Sequence, residues 1–370
     1  MATPSSPNPK DVVLLCNPLA GGRWRALAEV FDSPEAKGVR RIVTDEIDDV
    51  AEALAGVGRR ARLVCIYGGD GTIYHVLNAL LRTAASRPGG GTDAGGEAGD
   101  GPPGSPRRLP ILALLGGGTM NVTGQKCGMS GSAADNFRAI MRAYLADHLR
   151  WRDVPVIEIC ADGQCSYGFT FGMGPMVRLL DKYEHGRKGK LAALGVGAQA
   201  IAATFSPLPT PFDDLLRELE AAVTIDGERL PYRRYAAVFA NTTGAINRMV
   251  EPFSHELKAG DGTFHCLAYA VKAHEVAARV PLLARGVLPL HLRELINPQK
   301  QLGRLLGEGG AGQSRLPRDP RYVNRPAREL RVVPEETLYT VDGEVLRFPG
   351  GAEEVVVRLG PSLPLALRQE

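Results

Sequence analysis

The sequence predicts two fold classes in one chain, an α/β domain followed by an all-β domain. Over the first 150 residues a strand, a glycine-rich turn and a helix follow one another three times, which is typical of a parallel sheet with crossover helices. From Trp151 onward the chain consists of short β-rich runs with Asp-Gly pairs between them, which indicates an antiparallel sandwich. We therefore predict a Rossmann-like α/β domain over 1–150, a β-sandwich domain over 151–360 and a C-terminal tail over 361–370.

The composition agrees with two domains. The chain has 370 residues, of which 44% are hydrophobic, enough for two separate cores. Its 44 basic and 41 acidic residues are too evenly balanced to favour nucleic-acid binding, so we expect no nucleic-acid partner. The sequence shows neither a signal-peptide pattern nor an apolar run of about 18 residues. We therefore expect a cytoplasmic location, and the composition does not indicate an oligomeric state.

The six cysteines are scattered and form no Cys-x-x-Cys pair. We expect all six to be small core residues without metal or disulfide roles. Only Cys160 and Cys165 lie close together in the sequence, and a bridge between them across a hairpin is the alternative.

The first repeat begins with the apolar strand Val12–Cys16. The turn after it contains Asn17, Pro18 and Gly21, and an Asn side chain at a strand end can tie loops together or reach a ligand. The helix that follows places one set of side chains inward: Trp24, Leu27, Ala28 and Phe31.

The second repeat carries the most informative motif of the chain. Its strand Leu63–Tyr67 leads into Gly-Gly-Asp-Gly-Thr at 68–72, and the next helix has one apolar face: Ile73, Val76, Leu77, Leu80 and Leu81. Gly68, Gly69 and Gly71 leave backbone N–H groups uncovered at a helix N-terminus, where a polyphosphate can bind. A carboxylate at this position repels phosphates unless Mg²⁺ lies between the two groups, or unless the carboxylate serves as a base for the incoming hydroxyl. Asp70 beside Thr72 therefore indicates phosphoryl transfer.

The third repeat follows a segment rich in glycine and proline. Residues 83–108 separate a helix from the next strand, and we predict that they form a disordered surface insertion. The strand after it ends in Gly-Gly-Gly-Thr-Met-Asn at 116–121, where Gly117, Gly118, Thr119 and Asn121 offer backbone, hydroxyl and amide groups to phosphate or ribose. Ligands of parallel α/β sheets bind beyond the strand ends, so the three turns predict one nucleotide site.

The later part of the chain contains three predicted hairpin turns and one amphipathic stretch. Asp162-Gly163, Asp226-Gly227 and Asp342-Gly343 each fall between strand-like runs. A helical segment is predicted over 177–205. Residues 279–306 alternate leucines with basic residues, which fits either a helix packed on the sandwich or a surface that rests on an anionic bilayer.

Taken together, these motifs resemble the catalytic domain of the diacylglycerol kinase family, which includes bacterial lipid kinases, sphingosine kinases and ceramide kinases. The resemblance covers nearly the whole chain. It rests on residues 17–22, 68–72, 118–121, 169–174, Asn241, 259–264 and 341–344.

The resemblance implies an ATP site in the first domain, a lipid slot in the second and chemistry between them. The implied cofactors are ATP and Mg²⁺. Asp70 and Asp342 are then rival candidates for the base, Glu344 and Asp70 candidates for the metal, and Asp261 a candidate for a structural metal site. The implied ATP-binding residues are Asn17, Pro18, Gly21, Gly68, Gly69, Gly71, Thr72, Gly117, Gly118, Thr119 and Asn121.

Two positions depart from the family pattern. Val122 stands where an Asp usually follows the Gly-Thr-x-Asn motif, and Pro175 and Met176 occupy the place of an acidic residue that contacts the lipid headgroup. Recognition of a sphingoid amine is less supported for that reason.

The function that we expect is an ATP-dependent lipid kinase, with diacylglycerol as acceptor ahead of ceramide or a sphingoid base. Such an enzyme contacts the membrane peripherally, here through Leu282, Leu283, Val287 and Leu288. One alternative is an NAD kinase, although the Asn-Glu helix motif of that family is missing from the sequence. Another is a catalytically silent lipid-binding member of the fold.

Overall fold

The computed structural model describes residues 6–18, 24–44, 54, 61–85, 109–116, 122–184, 210, 212–246, 250–258, 260–290, 318–348 and 354–369. The chain forms two compact units that are interleaved in sequence. Unit 1 comprises Met1–Phe171, Thr340–Leu346 and Val357–Glu370, and unit 2 comprises Gly172–Tyr339 and Arg347–Val356. The consecutive domain boundaries that the sequence suggests stay a prediction.

Unit 1 contains a parallel sheet with the strand order β4-β3-β1-β2. The strands are β1 (Val12–Cys16), β2 (Arg40–Val43), β3 (Leu63–Tyr67) and β4 (Ile111–Leu114). β1 and β3 pair in parallel from Val12↔Leu63 to Cys16↔Tyr67. Every residue of β1, β3 and β4 is buried, because both faces of the sheet are covered.

Helices cover the two faces of this sheet. They are α1 (Trp24–Phe31), α2 (Asp70–Ala85), α3 (Val122–Lys126) and α4 (Ala133–Leu145), with 3₁₀ turns at Pro9–Asp11 and Pro34–Ala36. The predicted apolar face of α2 is confirmed, since its five residues pack in one core with Val13 and Leu15. On the opposite face, Phe137 and Ile140 of α4 pack with Leu14.

Two antiparallel strands and the last strand complete unit 1. β5 (Trp151–Ala161) and β6 (Gln164–Gly168) form a hairpin. β17 (Val355–Ala366) joins β4 in parallel, with Leu365 opposite Leu112. Residues 361–366 are therefore strand rather than the tail that the sequence suggests. Prolines at 361 and 364 hide this strand from the pattern, while Leu363 and Leu365 are fully buried.

The β5–β6 hairpin carries a disulfide between Cys160 and Cys165. The expectation that all six cysteines are free core residues is wrong for these two. The two-residue turn at Asp162-Gly163 places Cys160 directly opposite Cys165 in the antiparallel register, with their Cα atoms 4.1 Å apart. The other four cysteines are free and buried, as expected: Cys16, Cys65, Cys127 and Cys266.

Unit 2 is built from antiparallel strands, as predicted. β8 (Leu219–Ile225) pairs with β9 (Glu228–Arg229), β10 (Arg234–Tyr235) and β14 (Glu329–Pro334). β12 (Phe264–Tyr269) lies between β11 (Ala237–Asn241) and β13 (Tyr322–Ala327). One core of the unit contains Phe239, Phe253, Leu267, Tyr269 and Tyr322.

The helices of unit 2 are short. They are α5 (Pro175–Glu184), α6 (Asp213–Leu216), α7 (Ala273–Ala277) and α8 (Val280–Leu283). The chain passes between the units within four strands, which are β7 (Thr170–Met173), β15 (Leu338–Val341), β16 (Glu344–Arg347) and the start of β17. No helix in the described part of the chain is long and apolar enough to span a membrane.

The three predicted Asp-Gly turns are confirmed. Asp162, Asp226 and Asp342 have φ values of 50°, 51° and 53°, and the glycine after each also has a positive φ. Two positive φ values in succession are the geometry of a type I′ hairpin turn, which Asp-Gly adopts with little strain.

Some predicted segments extend beyond the described residues. α2 continues to Ala85, so residues 83–85 are helical, and the rest of the predicted insertion, 86–108, lies outside the described residues. The same is true of 185–205 in the predicted helical segment and of 291–306 in the amphipathic stretch.

Candidate active site

The second glycine-rich turn leads directly into α2, whose first residue is Asp70. The N-terminus of this 16-residue helix provides backbone N–H groups and the positive end of the helix dipole. Gly68 is needed at its place, because a Cβ there would overlap the Thr72 side chain. The turn is thus shaped by its glycines so that Thr72 packs against it.

The first glycine-rich turn is joined to the second by one side-chain hydrogen bond. Asn17 Nδ2 donates to Thr72 Oγ1 at 3.1 Å, and the Asn17 backbone N–H donates to the carbonyl oxygen of Tyr67 at 2.9 Å. Thr72 is buried. Pro18 follows Asn17 in the same turn. The two hydrogen bonds of Asn17 hold the end of β1 against the end of β3 and the first turn of α2.

Asp342 is brought to this part of unit 1 by backbone donors. Its carboxylate accepts hydrogen bonds from the N–H groups of Phe169, at 2.9 and 3.0 Å, and Thr170, at 2.8 Å. The Asp342 N–H in turn donates to the carbonyl oxygen of Thr170 at 3.0 Å. A Cβ on Gly168 would overlap the Val341 side chain and lie 2.9 Å from Asp342 Oδ2, so glycine is required there.

The charge environment of Asp342 favours its protonated form. Burial of the carboxyl group raises the pKa of Asp342 to about 7, against the opposing effect of the Phe169 and Thr170 N–H groups. The negative charges of Asp70 and Glu344 raise this pKa further. Asp342 as a residue is half-buried. The three carboxylates therefore interact electrostatically within unit 1.

Glu344 lies against the first turn of α2. A Cβ on Gly71 would come within 2.5 Å of Glu344 Oε1 and 2.6 Å of its Cδ. The missing side chain at Gly71 is what leaves room for this carboxylate. Asp342 and Glu344, which follow Asp70 by more than 270 residues in the sequence, thereby lie with Asp70 around the start of α2.

The three carboxylates fit a magnesium ion by their chemistry. Mg²⁺ is usually held by one or two carboxylates together with substrate phosphates. Burial is the main cause of the raised pKa of Asp342, and the negative charges of Asp70 and Glu344 raise it further; a cation between these two carboxylates would offset that smaller effect. Among the described residues, one group of three clustered metal-binding side chains occurs, Glu158 with Cys160 and Cys165, and its cysteines are bonded to each other.

Several predicted site residues are not part of the site described so far. Gly21, Gly117, Gly118, Thr119 and Asn121 are outside the described residues, and their roles stay predictions. Asp261 is exposed in a turn of unit 2, and the structural metal site there also stays a prediction.

Residues 11–148 match the family model of the diacylglycerol kinase catalytic domain. This segment is similar to that family's catalytic domain. The matched part of the diacylglycerol kinase catalytic domain runs from the start of β1 through α4 and includes Asp70. It confirms the resemblance that the sequence motifs show. No curated protein is significantly similar to the chain in sequence.

A crystal structure of a diacylglycerol kinase from Bacillus anthracis str. Sterne has the same fold. It superposes with a TM-score of 0.54 at 16% sequence identity, and the alignment covers 96% of both chains. This likeness supports the predicted α/β and antiparallel β architecture. An NAD kinase from Archaeoglobus fulgidus in complex with ATP gives a TM-score of 0.44 at 10% identity over 97% of this chain and 93% of that chain, too low a score for an inference.

Unit 2 contains a cavity of about 320 Å³ beside α5. Its lining includes the ion pair of Arg178 with Glu336, at 2.8 Å, and that of Arg347 with Asp181, at 3.2 Å. Arg178 also donates to the carbonyl oxygens of Asp214, Leu215 and Arg217. Such a charged lining does not suit an acyl chain, so the lipid slot of the second domain stays a prediction.

The sequence does not reveal the residues whose hydrogen bonds hold the Asp342 carboxylate in place. Phe169 and Thr170 act through their backbone N–H groups, which carry no signal in a sequence. Asn78, described below, reads as an ordinary polar residue of a helix. Gly168 was the one available signal, since it interrupts a β-rich run next to Phe169.

Proposed function

We propose that this chain is an ATP-dependent lipid kinase that transfers the γ-phosphoryl group of ATP to a hydroxyl group of a membrane lipid, with diacylglycerol as the preferred acceptor. The observation that carries the proposal is the gathering of Asp70, Asp342 and Glu344 around the glycine-rich start of α2. This start belongs to the segment that matches the diacylglycerol kinase catalytic domain. Ceramide and sphingoid bases are the rival acceptors.

The triphosphate binds at the turn formed by Gly68, Gly69 and Gly71. The exposed backbone N–H groups and the helix dipole there stabilise negative charge. The bond between Asn17 and Thr72 holds the neighbouring turn in place. We assign the third glycine-rich turn, with Gly117, Gly118, Thr119 and Asn121, and Gly21 of the first turn to the same ATP site.

Asp70 and Glu344 would hold Mg²⁺. When bound, the ion supplies neutralisation of the charge on the transferring phosphoryl group. Asp70 occupies the first turn of α2, where a helix stabilises a carboxylate, and Glu344 approaches the same turn at Gly71.

Asp342 is the proton acceptor in this proposal, in preference to Asp70. The lipid hydroxyl oxygen attacks the γ-phosphorus, the bond from that phosphorus to the β,γ-bridging oxygen breaks, and ADP leaves. The hydroxyl proton moves to the Asp342 carboxylate, which the Phe169 and Thr170 N–H groups orient. A carboxyl group with a pKa of about 7 is well matched to accepting a proton near neutral pH.

The membrane contact of this kinase lies at α8 and the turn after it. Leu282 and Val287 have 52% and 49% of their surface exposed, and Arg285 beside them is exposed. Exposed apolar residues next to a basic one suit an anionic bilayer surface. The sequence also assigned Leu283 and Leu288 to this contact, but Leu283 is 3% exposed and Leu288 packs against the core of unit 2. Leu283 faces inward from α8, whereas Leu288 lies beyond the end of that helix.

The acceptor is tested by incubating the purified chain with ATP labelled at the γ-phosphate, Mg²⁺ and one acceptor at a time in mixed micelles. The acceptors are diacylglycerol, ceramide, a sphingoid base and, in solution, NAD. We expect label in phosphatidic acid above all other products. Label in NADP alone, or lipid binding without transfer to any acceptor, would contradict the proposal.

A further inference from the structure

Asn78 joins α2 to β6 through both peptide groups of one residue. It is 5% exposed and lies two turns beyond Asp70 on the same helix. Its Oδ1 accepts from the Tyr167 N–H at 2.9 Å, and its Nδ2 donates to the Tyr167 carbonyl oxygen at 2.9 Å. Nδ2 also donates to the carbonyl oxygen of Tyr74 at 2.8 Å. The amide group thus uses both of its donors and one acceptor site.

The Asn78 amide makes the hydrogen bonds that a second neighbouring strand would make with Tyr167. Among the described strands, β6 pairs with β5 alone, and Tyr167 stands opposite Glu158 in that pairing. The N–H and carbonyl groups of Tyr167 both bind Asn78, so at this residue the free edge of β6 is satisfied by a side chain. A buried strand edge without partners is costly, and Asn78 removes that cost.

Two further hydrogen bonds connect α2 to β6. The Tyr74 hydroxyl is hydrogen-bonded to the Ser166 side chain. Arg82 Nη2 donates to the Cys165 carbonyl oxygen at 3.3 Å. Tyr74, Asn78 and Arg82 follow one another at intervals of four residues, so one stripe of α2 holds three consecutive residues of β6.

β6 leads directly to the donors of Asp342. Two residues after Tyr167 comes Phe169, whose N–H group, together with that of Thr170, holds the Asp342 carboxylate. The same helix therefore carries Asp70 at its start and, through Asn78, the strand that orients Asp342. We propose that Asn78 is a positioning residue that sets the place of the Asp342 carboxylate relative to Asp70.

This inference rests on the proposed function for its catalytic meaning, but its structural content does not. Asn78 hydrogen-bonds to backbone groups of Tyr74 and Tyr167, and none of its described hydrogen bonds is with Asp70, Asp342 or Glu344. Its replacement should leave the glycine-rich turn and the bond between Asn17 and Thr72 in place. Turnover should therefore suffer more than ATP binding.

The first test measures hydrogen exchange in the full-length protein without substrate. In Asn78→Ala, the amides of Phe169 and Thr170 should exchange at least about 10-fold faster than the loss of global stability explains. Val76→Ala is the matched control, because Val76 is fully buried on the same helix, in the core that also contains Tyr167 and Phe169, and its side chain cannot hydrogen-bond the Tyr167 backbone. In this control, exchange at 169 and 170 should change only with global stability.

The second test measures steady-state kinetics. Asn78→Ala should lower kcat by about 10- to 100-fold while the KM for ATP changes less than about 3-fold. Asn78→Ser keeps a hydroxyl group that can hydrogen-bond one backbone group of Tyr167 or Tyr74, so it should lie between wild type and Asn78→Ala; it also serves if Asn78→Ala does not fold.

Unchanged protection of Phe169 and Thr170 in both Asn78 variants would overturn the inference, as would a kcat loss no larger than that of Val76→Ala. If the wild-type protein transfers no phosphate to any acceptor, the proposed function fails, and the exchange experiment still decides whether Asn78 positions the donors of Asp342.

Discussion

The Asn17 side chain donates a hydrogen bond of 3.1 Å to the hydroxyl oxygen of Thr72. This bond joins the turn after β1 to the first turn of α2. It links a loop residue with a buried helical residue. Because both turns are assigned to the ATP site, the bond should matter for nucleotide binding as well as for stability.

We expect Asn17→Ala and Thr72→Val each to lower the free energy of unfolding by about 1 kcal/mol and to raise the KM for ATP about 3- to 10-fold. Since both substitutions remove the same bond, the double variant should be little worse than either single one. Denaturant unfolding and ATP titrations of the four proteins measure this coupling. Fully additive effects would show that the two residues act independently.

The effect of Gly71→Ala on the free energy of unfolding should depend on whether Glu344 is present. In the wild type, the new Cβ would lie 2.5 Å from Glu344 Oε1, so we expect the flexible Glu344 side chain to move away and this displacement to offset the gain from alanine in the helix. In an Glu344→Ala background the clash disappears, and alanine in a helix should then stabilise by up to about 1 kcal/mol. Thermal unfolding of the double-mutant cycle checks this. Equal effects in both backgrounds would mean that Glu344 does not lie against Gly71.

Asp342→Asn should stabilise the protein at neutral and alkaline pH. The pKa of Asp342 is raised to about 7, so the folded state favours the protonated form. Wild-type stability therefore falls as pH rises from about 4, the pKa of an unfolded aspartate, to about 7. Asn does not ionise, accepts a positive φ and keeps an oxygen for both backbone donors.

With allowance for the half-buried position of Asp342, the variant should gain about 1 to 2 kcal/mol over wild type above pH 7 and progressively less toward about pH 4. Denaturant unfolding in EDTA at several pH values measures this difference. A difference that does not vary with pH would show that Asp342 has an ordinary pKa.

Leu282→Ser together with Val287→Ser should weaken binding to anionic lipid vesicles by at least about 10-fold, because two exposed apolar side chains are lost from the surface. Leu145→Ser and Val333→Ser are matched controls, since these residues are 40% and 45% exposed and distant in sequence from α8. Cosedimentation with vesicles measures the binding. Equal losses in test and control variants would remove α8 from the membrane contact.

The sequence predicts what local chemistry determines. The three Asp-Gly turns and the apolar face of α2 follow from backbone preferences and helical periodicity, and the structure confirms both. The sequence predicts that the glycines at 68 and 71 open the turn to phosphate, and the structure shows that they make room for Thr72 and Glu344.

The remainder of the site depends on contacts between distant parts of the chain. Nothing near Asp342 in the sequence indicates that Phe169 and Thr170 donate to it, because those bonds span more than 170 residues. The role of Asn78 likewise depends on which strand packs beside α2. The disulfide was missed because it depends on a hairpin register, which places Cys160 opposite Cys165.

Phosphoryl transfer to diacylglycerol by Asp70→Asn and Asp342→Asn, compared with wild type at equal folded fraction, is the most direct measurement. If the carboxylates at the start of α2 carry out the reaction, each variant keeps its fold in circular dichroism and loses at least about 100-fold in turnover, Asp70→Asn losing essentially all of it. Turnover near the wild-type rate in Asp70→Asn would remove Asp70 from the mechanism, and the same result in Asp342→Asn would show that Asp342 does not accept the proton.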